Sequence, residues 1–96
     1  MRDLIPQIIT NTGKICTFEY CKSQHETNLR LAEKLSEESA EFLENNNPEE
    51  LADLLQVVHS LISNNDHMLD DIEKIRKEKE VERGGFSRAI ILKKVE

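Results

Sequence analysis

Two helical stretches separated by a few polar residues constrain this chain more than anything else in it. Residues 27–44 carry one apolar stripe at helical spacing and residues 48–63 carry another; between them stands "NNN", followed by Pro48. Asn47 is an expected N-cap, Pro48 occupies the first helical position, where its missing N–H costs nothing, and Glu50 falls at the third. A three-residue connection leaves the second helix no course except back along the first. The expected centre of the fold is an antiparallel helical hairpin.

Helical phase sorts the acids of "EESAEFLENNNPEELAD" (37–53). At about 100° per residue, Leu31, Leu35 and Phe42 lie within about 40° of one another, with Glu38 about 20° outside that arc and Glu41 at its edge. Glu33, Glu37 and Glu44 point the other way. In the second helix Leu51, Leu54, Val57, Val58 and Leu61 share a face, with Glu50 inside it and Asp53 at its rim. Residues at equal depth in an antiparallel hairpin have a constant index sum, and Glu41 with Glu50 shares the value 91 with Glu38 and Asp53. Four carboxylates should therefore converge one turn into the hairpin. Half-buried, they must take up protons or hold a cation, and an all-oxygen set suits Mg²⁺, with Mn²⁺ as the alternative. The competing account makes them ordinary helix charges. Glu50 then completes a capping box with Asn47, Glu49 favours the helix start, and Glu37 and Glu41 are solvated or paired with Lys34.

The remaining segments are read more coarsely. A short helix around "DLIPQIIT" should stop near Asn11 and Gly13, and the alternation in residues 15–20 predicts a short strand. A third long helix is expected from about Asp66 to Arg83, stopped by Gly84 and Gly85. The apolar tail "SRAIILKKV" could pair with residues 15–20 in a two-stranded β element. Along the third helix the stripe of Met68, Ile72 and Ile75 continues into Lys79 and Arg83. Cations in that register could neutralise a phosphate chain, or could be end-of-helix charges favoured by the helix dipole. No repeat or linker divides residues 1–96, so the fold class is a mainly α single domain. A chain this short buries only about two-thirds of its unfolded surface, which favours a homodimer or homotetramer whose hairpins complete a four-helix bundle.

Charge and composition remove several classes of function. A net charge of -6 argues against general nucleic-acid binding, although residues 33–53 hold eight acids against one base and residues 74–94 hold eight bases against three acids. No apolar run approaches the roughly 20 residues of a membrane span, and "MRDLIPQIITN" lacks the pattern of a signal peptide, so a cytoplasmic location is expected. Cys16 and Cys21 suggest neither a disulfide framework nor a zinc site. His25, His59 and His67 are scattered, and Ser36 and Ser39 have no histidine partner at helical spacing, which leaves nucleophilic catalysis without support.

Several segments, taken in order, resemble a known family. "RDLIPQII", "KLSEESAEFL", "EELADLLQVV" and "IRKEKEVERGGFSRAIIL" are together similar to the all-α nucleotide pyrophosphohydrolases, the MazG and phosphoribosyl-ATP pyrophosphohydrolase superfamily, in its small stand-alone members. ExxE and ExxD are the metal motifs of that superfamily. The resemblance implies Mg²⁺-dependent hydrolysis of a nucleoside triphosphate or related nucleotide between the α and β phosphates, plausibly to remove non-standard nucleotides. It implies metal ligation by Glu38, Glu41, Glu50 and Asp53 and phosphate contacts from Lys79 and Arg83; Glu38 and Glu41, deeper from the helix start than Glu50, are the two candidates for the catalytic base that accepts the proton of the attacking water. The eight residues between Glu41 and Glu50 form a shorter gap than is usual in the superfamily. Two readings stand beside this one: a non-catalytic helical dimerisation or regulatory module, and a nucleotide binder without turnover.

Overall fold

The structure, a computed structural model, describes residues 2–96. Its helices are α1 (Ile5–Asn11), α2 (Gln24–Asn45), α3 (Pro48–Asn64) and α4 (Leu69–Arg83). The chain is mainly helical, and α2 and α3 form its principal packed unit.

Local chemistry explains each boundary. Helix α2 begins three residues before the expected Thr27, because Ser23 Oγ accepts the Glu26 N–H at 3.0 Å and Glu26 Oε2 accepts the Lys22 N–H at 3.1 Å. At the other end Asn46 takes the left-handed conformation (φ 49°, ψ 44°) and donates its N–H to the Phe42 carbonyl at 2.7 Å, which stops the helix. Only Asn46 and Asn47 connect the two helices. Asn47 is the N-cap and Pro48 the first residue of α3, as expected. Helix α4 starts at Leu69 in place of the expected Asp66: Asp66 has φ 59° and helps to end α3, while His67 donates its N–H to the Ile62 carbonyl. Gly84, with φ 84° and its N–H bonded to the Glu80 carbonyl at 2.8 Å, closes α4.

An amide cluster locks the far end of the hairpin. Asn28 Nδ2 donates to Asn65 Oδ1, its Oδ1 accepts from both Asn64 and Asn65, all at 2.9 Å, and Gln24 Nε2 donates to the Asn64 carbonyl at 2.8 Å. Asn28 thus pairs with residues whose index sums are 92 and 93, against the expected 91. The loop at one end and this cluster at the other hold the two helices in the register that the carboxylates require.

The hairpin covers little of its own apolar surface. Among the described residues only Glu38 and Val57 are buried, at 4% and 7% exposure. Leu54 and Leu61 are half-buried, whereas Leu51 and Val58, on the same face of α3, stay exposed. Two helices can cover an arc, but not the whole of a stripe this wide. The chain exposes 8883 Å², against about 5,700 Å² for a compact monomer of its mass. Its radius of gyration is 17.7 Å, where about 12–13 Å is usual for its length.

No strand occurs among the described residues. The segment around residues 15–20 and the tail beyond Gly84 have no ladder between them, so the expected β element is not formed within the chain. An isolated two-stranded ribbon is marginal in water. Ile15, Phe86, Ile90, Ile91 and Leu92 are all exposed.

Replacing Asn28 by Ala removes the shared partner of Asn64 and Asn65 and leaves part-buried amides unpaired. Urea denaturation at fixed protein concentration should show a loss of about 1–2 kcal/mol.

Candidate metal centre

Glu38 sits in the seam between α2 and α3 and is the most buried described residue. Its Oε1 pairs with Lys34 Nζ, one turn earlier on the same helix, at 3.0 Å. Its Oε2 is buried and has no hydrogen-bond partner among the described residues. A buried carboxylate oxygen without a donor costs free energy unless a proton or a cation faces it.

Oxygens of Glu38, Glu50 and Asp53 lie within 4.8 Å of one another, as do oxygens of Glu37, Glu38 and Glu41. The hairpin register brings Glu38, Glu50 and Asp53 together, while Glu41 gathers with Glu37 and Glu38, so the four acids expected at one spot fall into two groups that share Glu38. Glu37, which phase places on the outer face, is exposed, yet one of its oxygens comes within reach of the second group and accepts from Lys34 at 3.4 Å. The capping account fits Asn47 but not Glu50. Asn47 Oδ1 accepts from the Glu49 N–H at 2.9 Å, and the Glu50 carboxyl faces Glu38.

Electrostatics divides the cluster unequally. The ammonium of Lys34 holds Glu38 below the usual carboxylate range, and Glu38 in turn raises Lys34. Glu50 faces that charge without a base of its own, and Glu38, followed by desolvation and Glu41, pushes it up to about 7. A proton on Glu50 gives Glu38 a donor to face, and it is the state that metal-free protein adopts below neutrality.

A second base also reaches the cluster. Arg2 Nη2 lies 2.5 Å from Asp53 Oδ1. Arg2 stands out in the sequence only through the family resemblance, and no local pattern signals a contact across 51 residues.

Lys79 and Arg83 are exposed in the last turns of α4 and pair with none of the carboxylates among the described residues. Helix α4 packs on α3 and on no other helix, and beyond Glu73 it is exposed throughout. One chain therefore assembles the acidic half of the expected site and leaves the basic half apart. Two open furrows on the surface are each lined by a single helix, one by Arg30, Glu33, Lys34 and Glu37 and another by Asp70, Glu73, Lys74, Lys77 and Glu78.

No family model, curated protein or solved structure matches this chain. The chemistry of the site is argued from its own residues. Three to four carboxylates, one of them buried with a free oxygen, are a hard-oxygen donor set that fits Mg²⁺ or Mn²⁺ and offers no nitrogen or sulfur to softer metals.

The stability of metal-free protein should depend on pH with a definite sign. Between about 4.5 and about 7 the folded state keeps a proton on Glu50 that the unfolded chain has lost, so stability falls as pH rises through that window. Glu38 acts oppositely at lower pH, losing stability as its carboxylate is protonated. Melting temperatures measured from pH 4 to 8 should decline above pH 5, and Glu50→Gln or added Mg²⁺ should flatten that decline.

Proposed function

We propose that the chain is a Mg²⁺-dependent nucleoside triphosphate pyrophosphohydrolase of the MazG-like kind, releasing a nucleoside monophosphate and pyrophosphate from non-standard nucleotides. The observation that carries the reading is the Glu38 carboxylate, buried with one oxygen unpartnered and gathered with the carboxylates of Glu50 and Asp53. A surface rim of acids in a regulatory module has no reason to bury one of its members. The order of motifs set out above adds the reaction class.

In this reading Glu38, Glu41, Glu50 and Asp53 hold the ion. Bound there, Mg²⁺ supplies Lewis acidity, polarising a phosphoryl oxygen and acidifying a water. Lys34 keeps Glu38 ionised and ready to ligate. Glu41, half-buried on the solvent side of Glu38, is the carboxylate we assign to accept the proton of the attacking water. Lys79 and Arg83 neutralise the phosphates and the leaving pyrophosphate.

Because α4 stands apart from the carboxylates of its own chain, Lys79 and Arg83 serve a site completed by self-association. We read the assembly as a homodimer or homotetramer in which hairpins form a four-helix bundle. An excess of about 3,200 Å² over a compact monomer supports it, as do the exposed Leu51, Leu55 and Val58 on α3. Association also offers residues 15–20 and the tail a place to pair.

Incubation with a panel of standard and modified nucleoside triphosphates plus Mg²⁺ should yield monophosphate and pyrophosphate from at least one. Glu38→Gln should lower that turnover by roughly 100-fold or more and remove the Mg²⁺-dependent rise in melting temperature. No product from any nucleotide, with no thermal response to Mg²⁺, overturns the enzyme reading in favour of a helical interaction module. In sedimentation the wild type should have the mass of two or four chains, and Leu55→Glu should shift it toward one.

A further inference from the structure

The two bases that touch the carboxylates are attached very differently. Lys34 is one helical turn from Glu38, so its contact is built into α2. Arg2 arrives from the other end of the chain and meets Asp53 Oδ1 at 2.5 Å, with 57% of the Arg2 side chain and 37% of the Asp53 side chain exposed. Ile5, Pro6 and Ile9 are half-buried, but no other long-range side-chain hydrogen bond ties down the segment among the described residues. The other side-chain hydrogen bonds of residues 2–13 are local, Gln7 to Asn11, Thr10 to the Pro6 carbonyl and Thr12 to the Ile9 carbonyl, and α1 packs on no other helix. Among the described residues the Arg2–Asp53 ion pair is the one hydrogen-bonded tie between this segment and the hairpin.

The position of that tie is what matters. Asp53 belongs to the trio in which its carboxylate meets those of Glu38 and Glu50, and Glu38 is the buried residue with an unpartnered oxygen. A divalent cation there takes its oxygens at roughly 2.0–2.1 Å for Mg²⁺, which brings it close to the guanidinium on Asp53, and two positive charges drawing on one carboxylate repel each other. The two occupants compete. An exposed single ion pair is weak, so a dication bridging several carboxylates wins the exchange.

We propose that the N-terminal segment is a strap over the carboxylate cluster, with Arg2 as a displaceable counter-ion: a divalent cation takes the place of its guanidinium and frees residues 2–13. The inference rests on the cation site proposed above and adds its regulation. Coupling of this kind is reciprocal, so the strap weakens the cation by the factor by which the cation weakens the strap. The expected factor is small, roughly two- to five-fold, as befits an exposed pair.

The test uses the full chain and Mn²⁺ as the probe, comparing wild type with Arg2→Gln and Glu38→Gln. Free Mn²⁺ is followed by electron paramagnetic resonance, and amide exchange of residues 5–12 by mass spectrometry, at low salt. Arg2→Gln should bind Mn²⁺ roughly two- to five-fold more tightly than wild type. Saturating Mn²⁺ should speed exchange in wild-type α1 to the rate seen in metal-free Arg2→Gln, whose own exchange should ignore the ion. Equal or weaker Mn²⁺ binding by Arg2→Gln, or wild-type exchange in α1 that ignores Mn²⁺, overturns the strap. If binding is still abolished in Glu38→Gln, the cation site survives that failure. Absence of Glu38-dependent Mn²⁺ binding in both wild type and Arg2→Gln overturns the site itself, and the strap with it.

Discussion

A carboxylate held in the seam of a two-helix hairpin is the constraint around which this molecule is arranged. Glu38 occupies a position that an apolar residue would fill at lower cost, with one oxygen on Lys34 and the other buried without a partner among the described residues. Removing such a group from water is unfavourable by itself, and the remaining lone pairs make it more so. The compensation lies in what surrounds it, a proton on Glu50 and a guanidinium on Asp53, with the proposed cation as a third. Each relieves the same excess of negative charge in a different way.

The second constraint is the missing core. Val57 is the sole buried apolar residue among those described, and the exposed faces of α2, α3 and α4 do not cover one another. Both deficits, the absent apolar layer and the absent phosphate-binding cations, lie on surfaces that one chain leaves uncovered. The proposed association would cover both with one interface, so an acidic hairpin and a basic α4 need not meet within a chain for the proposed chemistry.

How much was legible in the sequence follows from how local each signal is. Asn47 and Pro48 fixed the start of α3, the helical phase of Glu38 anticipated its burial, and the index-sum relation anticipated the meeting of Glu38 with Asp53, but not the grouping of Glu41 with Glu37. The earlier start of α2 was also written locally, in Ser23 and Glu26, but the apolar periodicity that first draws attention begins further on. The later start of α4 depends on Asp66 taking a left-handed conformation, which composition alone does not announce. The Arg2 contact spans 51 residues and leaves no periodic trace. The stripe of α4 was readable as a pattern, but a pattern does not say which surface it will meet, and most of that helix meets none in its own chain.

The two-residue connection between α2 and α3 has a consequence for how this protein can change. Asn46 is committed to ending one helix and Asn47 to beginning the next, so the junction has no slack. Inserting a single residue into the start of α3 would turn everything after it by about 100° and advance it by about 1.5 Å, carrying Asp53 away from Glu38. Lengthening the hairpin by a whole turn on both arms would keep the facings intact. Viable length variants at this junction should therefore be confined to paired, near-integral turns, and the loop, ordinarily the most permissive part of a helical protein, becomes one of its least tolerant.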